Sequence, residues 1–255
     1  VTSIALFTLA QPAAAVVVLG GTNPVTGRNE SAPTGSYTDS GWQWHGNYGG
    51  YSGTPIAPNW FISAEHVYDL QPATSTFSLN SQTYNIVASV QIPNTDLRLF
   101  QVSQTFTSYA PIFNPAVDGA LAAGDDVTIF GRGFQRGAEV SGRGWLWGSD
   151  DAVRSWGAND FDGFVNGGPS LGTLLVTDFD NNGDPNEGAL SARDSGGGTF
   201  VFKNGAWRLV GVNYGTDYRF LYAPSGTSHN NGTLYDKAGL YQYLGDVNGS
   251  GTPTT

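Results

Sequence analysis

Cysteine and methionine are absent from the 255 residues, and charge is scarce, with Asp, Glu, Lys and Arg making up 13% against roughly 25% in an average globular chain. Without cysteine there is no disulfide, no thiolate nucleophile and no Cys-based zinc site. Eleven Lys and Arg face 21 Asp and Glu, a net charge of −10 and a pI near 4.4, which argues against a nucleic-acid partner, since that needs clustered cations. So few charges also leave little material for long solvated helices. No apolar run reaches the roughly 18 to 20 residues of a membrane-spanning helix. The run Ile4 to Ala15 (IALFTLAQPAAA) reads as the tail of a signal peptide, ending in small residues that match an A-x-A cleavage site. A buried apolar strand continuing through Val16, Val17 and Val18 is the competing reading. The expectation is a secreted or cell-surface protein of bacterial type.

What the chain has in abundance is glycine, 36 residues, and aromatics, with 7 Trp, 12 Tyr and 14 Phe. That apolar area is too large for a disordered chain. Short runs rich in β-branched and aromatic residues, each bounded by Gly, Pro, Asn or Asp, predict strands over 54–56, 60–63, 84–90, 97–102, 127–130, 174–177, 199–202, 207–212 and 220–222. Their spacing points to an all-β sandwich or barrels. Lys203-Asn204-Gly205-Ala206 carries the Asn-Gly pair of a type I′ turn, so 199–212 is expected to be a hairpin. The one expected helix is short and C-terminal, at Asp236 to Leu244, weakened by Gly239. Residues 16–40 read as a polar N-terminal segment, 41–246 as the folded domain and 247–255 as a linker or tail.

Only three histidines are present. His66 follows the strand-like Trp60-Phe61-Ile62-Ser63-Ala64, whereas His45 lies among aromatics and His229 in a polar loop. Acyl-bond hydrolysis without a cofactor needs a hydroxyl nucleophile, a base that returns its proton, and a carboxylate that fixes the imidazole tautomer. Asp194-Ser195-Gly196-Gly197-Gly198 supplies a serine in a backbone pliable enough to expose the hydroxyl and gather N–H groups around an oxyanion.

Taken together, these segments resemble chymotrypsin-like (trypsin-fold) serine peptidases. The stretch Gly53 to Val67 is similar to the surroundings of that family's catalytic histidine, and Asp194-Ser195-Gly196-Gly197 to its nucleophile motif. Thr95 to Phe100 is similar to the strand bearing its aspartate, and Trp207 to Gly215 to the strand lining its cleft. The resemblance spans residues 50 to 245 in the family's order of His, Asp, Ser. It implies two packed six-stranded antiparallel β-barrels with Ser195 as nucleophile, His66 as base and then acid, and Asp96 as the residue orienting the ring. Asp69, three residues from His66, competes for that last role. The N–H groups of Arg193 and Ser195 would form the oxyanion hole, although the family has Gly where Arg193 stands. Val67 replaces the family's Cys, and Gly198 its Pro. Specificity would be read at Ala189, which offers no charge to a basic side chain, and an extended protein or peptide substrate would pair with Asn213, Tyr214 and Gly215. Val16-Val17-Val18-Leu19-Gly20-Gly21 loosely resembles the terminus that activates such enzymes by meeting Asp194.

The stretch 178–186 alternates oxygen-bearing side chains before a glycine, like the start of a calcium loop. Asp178, Asp180, Asn182 and Asp184 are its candidate ligands, with Glu187 in place of the missing twelfth-position acid. No cofactor is required by the chemistry, so calcium here would be structural. Two alternatives stand beside the endopeptidase: a non-catalytic binding module using Trp42, Trp44, Tyr48 and Tyr51 as a stacking surface, and an esterase working with the same triad.

Overall fold

The computed structural model describes residues 16–23, 25–150, 152–216, 220–221, 228–229 and 231–245. The leader-like run 1–15 and the tail 247–255 fall outside them. The chain is predominantly β, as expected. Strands β1 (Gly46–Tyr48), β2 (Tyr51–Ala57), β3 (Trp60–Ala64), β4 (Thr76–Leu79), β5 (Gln82–Ile92) and β6 (Leu97–Val102) close into a barrel in the order β1-β2-β3-β6-β5-β4. Closure removes free edges. The interior is aromatic: Phe61 stacks on Phe77 at 4.1 Å and on Phe100 at 4.7 Å, and all three are buried. A Cβ at Gly46 would overlap the Phe77 ring, so glycine there is what admits the aromatic.

The second half is a seven-stranded sheet that does not close. It is built from β7 (Asp125–Gly131), β8 (Ser155–Phe161), β9 (Gly163–Asn166), β10 (Thr173–Asp178), β11 (Gly198–Lys203), β12 (Ala206–Thr216) and β13 (Ala238–Tyr243), in the order β8-β7-β11-β12-β13-β10-β9. Its core gathers Phe113, Val127, Ile129, Leu175, Val201, Val210 and Tyr241. The β11–β12 turn has the expected form: Lys203 pairs with Ala206, and Asn204 and Gly205 both take positive φ, 51° and 77°. Phe134–Glu139, Gly144–Asp150 and Gly232–Leu234 form a separate three-stranded sheet.

The C-terminal helix expected at Asp236 to Leu244 is instead strand β13. It is hydrogen-bonded on both sides, Leu175↔Tyr241 towards β10 and Asn213↔Tyr241 towards β12. Two ladders outweigh a weak, glycine-interrupted helical tendency. The α-helices among the described residues are short and lie elsewhere: α1 (Glu65–Leu70) and α2 (Pro115–Asp118), the latter capped by Asn114 Oδ1 accepting from the Ala116 N–H.

The described part of the chain is packed from its first residues. Val16, Val17 and Val18 are fully buried, and Val17–Val18 pairs with Gly188–Ala189. The two halves are joined by a strap over residues 103–113. Its Ala110 N–H donates to Pro55 O (2.8 Å), its Phe113 N–H to Leu209 O (2.9 Å), and its Pro111 carbonyl accepts from the Leu209 N–H (2.8 Å).

Candidate active site

His66 stands at the junction of β3 and α1. Strand β3 pairs with β6 in the register Ala64↔Leu97, so one step beyond the sheet Asp96 faces the first turn of α1. Its carboxylate grips His66 twice: the His66 N–H donates to Oδ1 (2.9 Å) and ring Nδ1 donates to Oδ2 (2.6 Å). This fixes the proton on Nδ1 and leaves Nε2 as the working nitrogen. Asp96 is only 7% exposed and is itself anchored from the other half, its N–H donating to Gln242 Oε1 (3.0 Å). Helix α1 is held down by Arg98, which makes two bonds to Glu65 (2.7 and 2.8 Å) and lies over the Tyr68 ring at 3.8 Å. Asp69 is exposed and makes no hydrogen bond to His66, which leaves the orienting position to Asp96.

Ser195 comes from the opposite half, on the loop before β11. The Ser52 N–H donates to its carbonyl (3.3 Å), and a Cβ at Gly196 would overlap Ser63 Oγ and lie 3.4 Å from the Ala64 nitrogen. The loop is thus laid against the end of β3, two residues short of His66. The Ser195 hydroxyl makes no hydrogen bond to another described residue. The backbone N–H groups of Arg193 and Ser195 are likewise unpaired among the described residues, as is that of Ala192, whereas those of Ser191, Asp194, Gly196 and Gly197 have acceptors. Two free donors two residues apart beside a serine are what an oxyanion requires.

Arg193 occupies the left-handed region with φ 72°, where a non-glycine residue stores roughly 1 to 3 kcal/mol. Its side chain is drawn outward by an ion pair with Asp150, and its guanidinium lies 5.3 Å from the centroid of Tyr51. The arginine therefore takes a conformation natural to glycine while its N–H stays available.

Asp194 is buried and receives four donors: the Val16 N–H (3.2 Å) and Gly133 N–H (2.7 Å) on Oδ1, and the Ser191 N–H (2.6 Å) and hydroxyl (2.9 Å) on Oδ2. Burial pushes its pKa up to about 6, with these hydrogen bonds opposing the rise. Gly131 is required here, since a Cβ would overlap this carboxylate.

Asn213 is fully buried. Its N–H and carbonyl are taken by Gly197 O (2.8 Å) and the Gly196 N–H (3.0 Å), and its side-chain amide donates to Phe130 O (2.7 Å) and Asp194 O (2.9 Å). It is a brace for the Ser195 loop and presents no free edge to a substrate, contrary to expectation. Tyr214 and Gly215 are partly exposed at a register break, and the Tyr214 ring meets His66 edge-on at 5.9 Å. Ala189 is buried and paired with Val17. The braces Asn213 and Gln242 have no signature in local sequence, because each acts between segments distant in the chain.

In the 178–187 loop, Asn182 Nδ2 donates to Glu187 Oε2 (3.2 Å) and the Asp180 N–H to Oε1 (3.1 Å), while Asn182 and Asp184 oxygens accept from nearby backbone. Asp178, Asp180, Asn182 and Asp184 are not gathered into a centre: among the described residues no three His, Cys, Asp or Glu side chains are placed to share a metal ion. Burial raises the Glu187 pKa to about 8, so the loop closes around a carboxyl that is largely protonated at neutral pH. Tyr48 and Tyr51 are buried and Trp42 is covered by Arg154, so the four aromatics proposed for a stacking surface do not form one. No protein-family model matches the chain, and no curated protein matches it either.

Proposed function

We propose that this protein is a secreted, trypsin-like serine endopeptidase that cleaves peptide bonds through Ser195, His66 and Asp96. The observation that carries this reading is the two-point grip of Asp96 on His66 beside a serine loop with two unpaired N–H groups. Ser195 Oγ attacks the scissile carbonyl while His66 Nε2 takes its proton, and Asp96 holds the Nδ1 proton and balances the imidazolium. The carbonyl oxygen, now negative, accepts from the Arg193 and Ser195 N–H groups. His66 then delivers its proton to the leaving amine, and a water activated the same way releases the acyl group. The hydroxyl is unbonded before substrate arrives, and contacts of this kind tighten on binding. An uncharged Ala189 favours uncharged side chains at the cleaved bond, and Tyr214 and Gly215 are the backbone left for an extended peptide.

The buried Val16 N–H on Asp194 supports maturation by cleavage after Ala15. That cut would turn the amide into an ammonium facing a carboxylate, a charge-assisted bond in place of a neutral one. Fluorophosphonate labelling of protein beginning at Val16, with the modified residue mapped, tests the whole reading. Labelling at Ser195 that is lost in His66→Ala is expected. An unlabelled but folded protein would refute it, and hydrolysis of ester substrates without peptide cleavage would reassign it as an esterase.

A further inference from the structure

Five cations in the described structure have a carboxylate partner: Arg28 has Glu30, Arg98 has Glu65, Arg193 has Asp150, Lys203 has Asp125 and Arg208 has Asp118. Arg132 and Arg154 have none. They converge, from the second half of the molecule, on a cavity of about 310 Å³ whose other wall comes from the first barrel, with Asn47, Ser78 and Asn80. Each guanidinium is held from one side only. Arg132 donates through Nε to Gly46 O (3.4 Å) and through Nη1 to Ala152 O (2.7 Å). Arg154 donates through Nη1 to Trp42 O (3.2 Å) and His45 O (3.5 Å), with its plane on the Trp42 ring at 3.9 Å. Arg132 Nη2 and Arg154 Nε and Nη2 make no hydrogen bond to described residues.

The floor of this cavity is His45, 2% exposed. Its Nε2 contacts Ser52 Oγ at 3.4 Å, and its Nδ1 is buried without a hydrogen-bond partner. Burial and the two neighbouring arginines drive its pKa well below the usual histidine range, with the Gly131 backbone opposing. Burial and the charge of Arg154 also bring Arg132 down to about 10. Two like charges brought together and partly buried, with no carboxylate partner among the described residues, are costly. The same arrangement is strongly favourable once an anion enters, because bidentate guanidinium donors match the oxygens of a phosphate or sulfate.

We propose that Arg132, Arg154 and His45 form a binding site for a phosphate-type oxyanion, presented either as the free ion or as a monoester group on a larger molecule. The site is separate from Ser195 and does not depend on the peptidase reading. Asn47, Ser78 and Asn80 add polar groups at the rim, and the volume leaves room for more than a bare ion.

The test is isothermal titration of the full chain with inorganic phosphate and with phenyl phosphate, ionic strength held constant with sodium chloride. Saturable binding is expected, weakened at least 10-fold by Arg154→Gln. Because Arg154 also ties down backbone carbonyls, Ser81→Asp serves as a second variant. Ser81 is an exposed residue lining the same cavity, at φ 65°, a conformation Asp accepts, and the added carboxylate should repel the ligand. Arg208→Gln, in a different pocket beside Trp207, should leave binding unchanged. Tighter binding of phosphate than of the ester identifies a free ion, and the reverse identifies a carried group. Binding that is absent, that chloride matches, or that survives both Arg154→Gln and Ser81→Asp would overturn the proposal.

Discussion

The first barrel and the second sheet solve the same burial problem with different materials. The barrel is closed and filled with stacked rings, and it delivers His66 and Asp96 from just beyond the ends of two strands in direct register. The second sheet is open, and the loops around it are held by buried polar groups: Asp194 with its four donors, Asn213 with its braces, Glu187 under its loop. An apolar interior tolerates small shifts, whereas a polar one holds only if every donor finds its acceptor. The half that carries Ser195 is accordingly the more exacting one.

The sharpest contrast is between catalysis and stability within the barrel. Asp96→Asn should reduce peptide turnover by about 10⁴-fold, because the amide favours the wrong imidazole tautomer. The melting temperature should change little, and steady-state kinetics beside a thermal melt will show both. Next in size, Phe61→Ala should cost about 3 to 5 kcal/mol by denaturant unfolding and yet leave labelling of Ser195 in the remaining folded protein. Asn213→Leu should cost about 2 to 3 kcal/mol, since it strands the Phe130 and Asp194 carbonyls in the interior. Unlike the barrel variant, it should abolish labelling. Equal labelling in the two would erase the distinction between the halves.

A smaller effect separates the halves by pH. The Glu187 pKa is raised from 4.5 to about 8, so the folded protein holds a proton that the unfolded chain has lost. This contribution is complete below about pH 4.5 and disappears as pH rises through 8, so stability falls across that window. Unfolding midpoints of Glu187→Gln should show a flatter decline than the parent between pH 5 and 8. Asp194 acts in the same direction between its ordinary value of 3.8 and about 6. The smallest effect is that of Arg193→Gly, which relieves the left-handed backbone but gives up the ion pair with Asp150. It should shift stability by under about 1 kcal/mol and leave the labelling rate intact, since the N–H remains.

Much of the barrel was legible because its strands alternate over several residues: Leu97–Val102 has the expected bounds, and Tyr84–Val90 lies inside the longer Gln82–Ile92. The Asn204-Gly205 turn was legible because its chemistry is local. Residues 134–150 were not anticipated as strands, since Gly137, Gly142, Gly144 and Gly148 hide any alternation. Strand β13 was misread because its identity lies in its neighbours, β10 and β12, and not in Asp-Lys-Ala-Gly-Leu-Tyr. At the candidate site, His66, Asp96 and Ser195 were picked out by the resemblance of their surroundings, and of their order, to a known family's motifs. The support given by Gln242 and Asn213 depends on contacts 146 and 19 residues apart, which no local pattern announces.

The strap over residues 103–113 gives the molecule a mechanical character. It is fastened to Pro55 on one half and to Leu209 on the other, so it acts as a rivet where a free connection would act as a hinge. A hinge would let a cleft open by swinging its walls, carrying Ser195 away from His66 with each cycle. A riveted pair of halves would instead hold the Ser195 loop in one relation to His66, which is what the proposed chemistry asks of it.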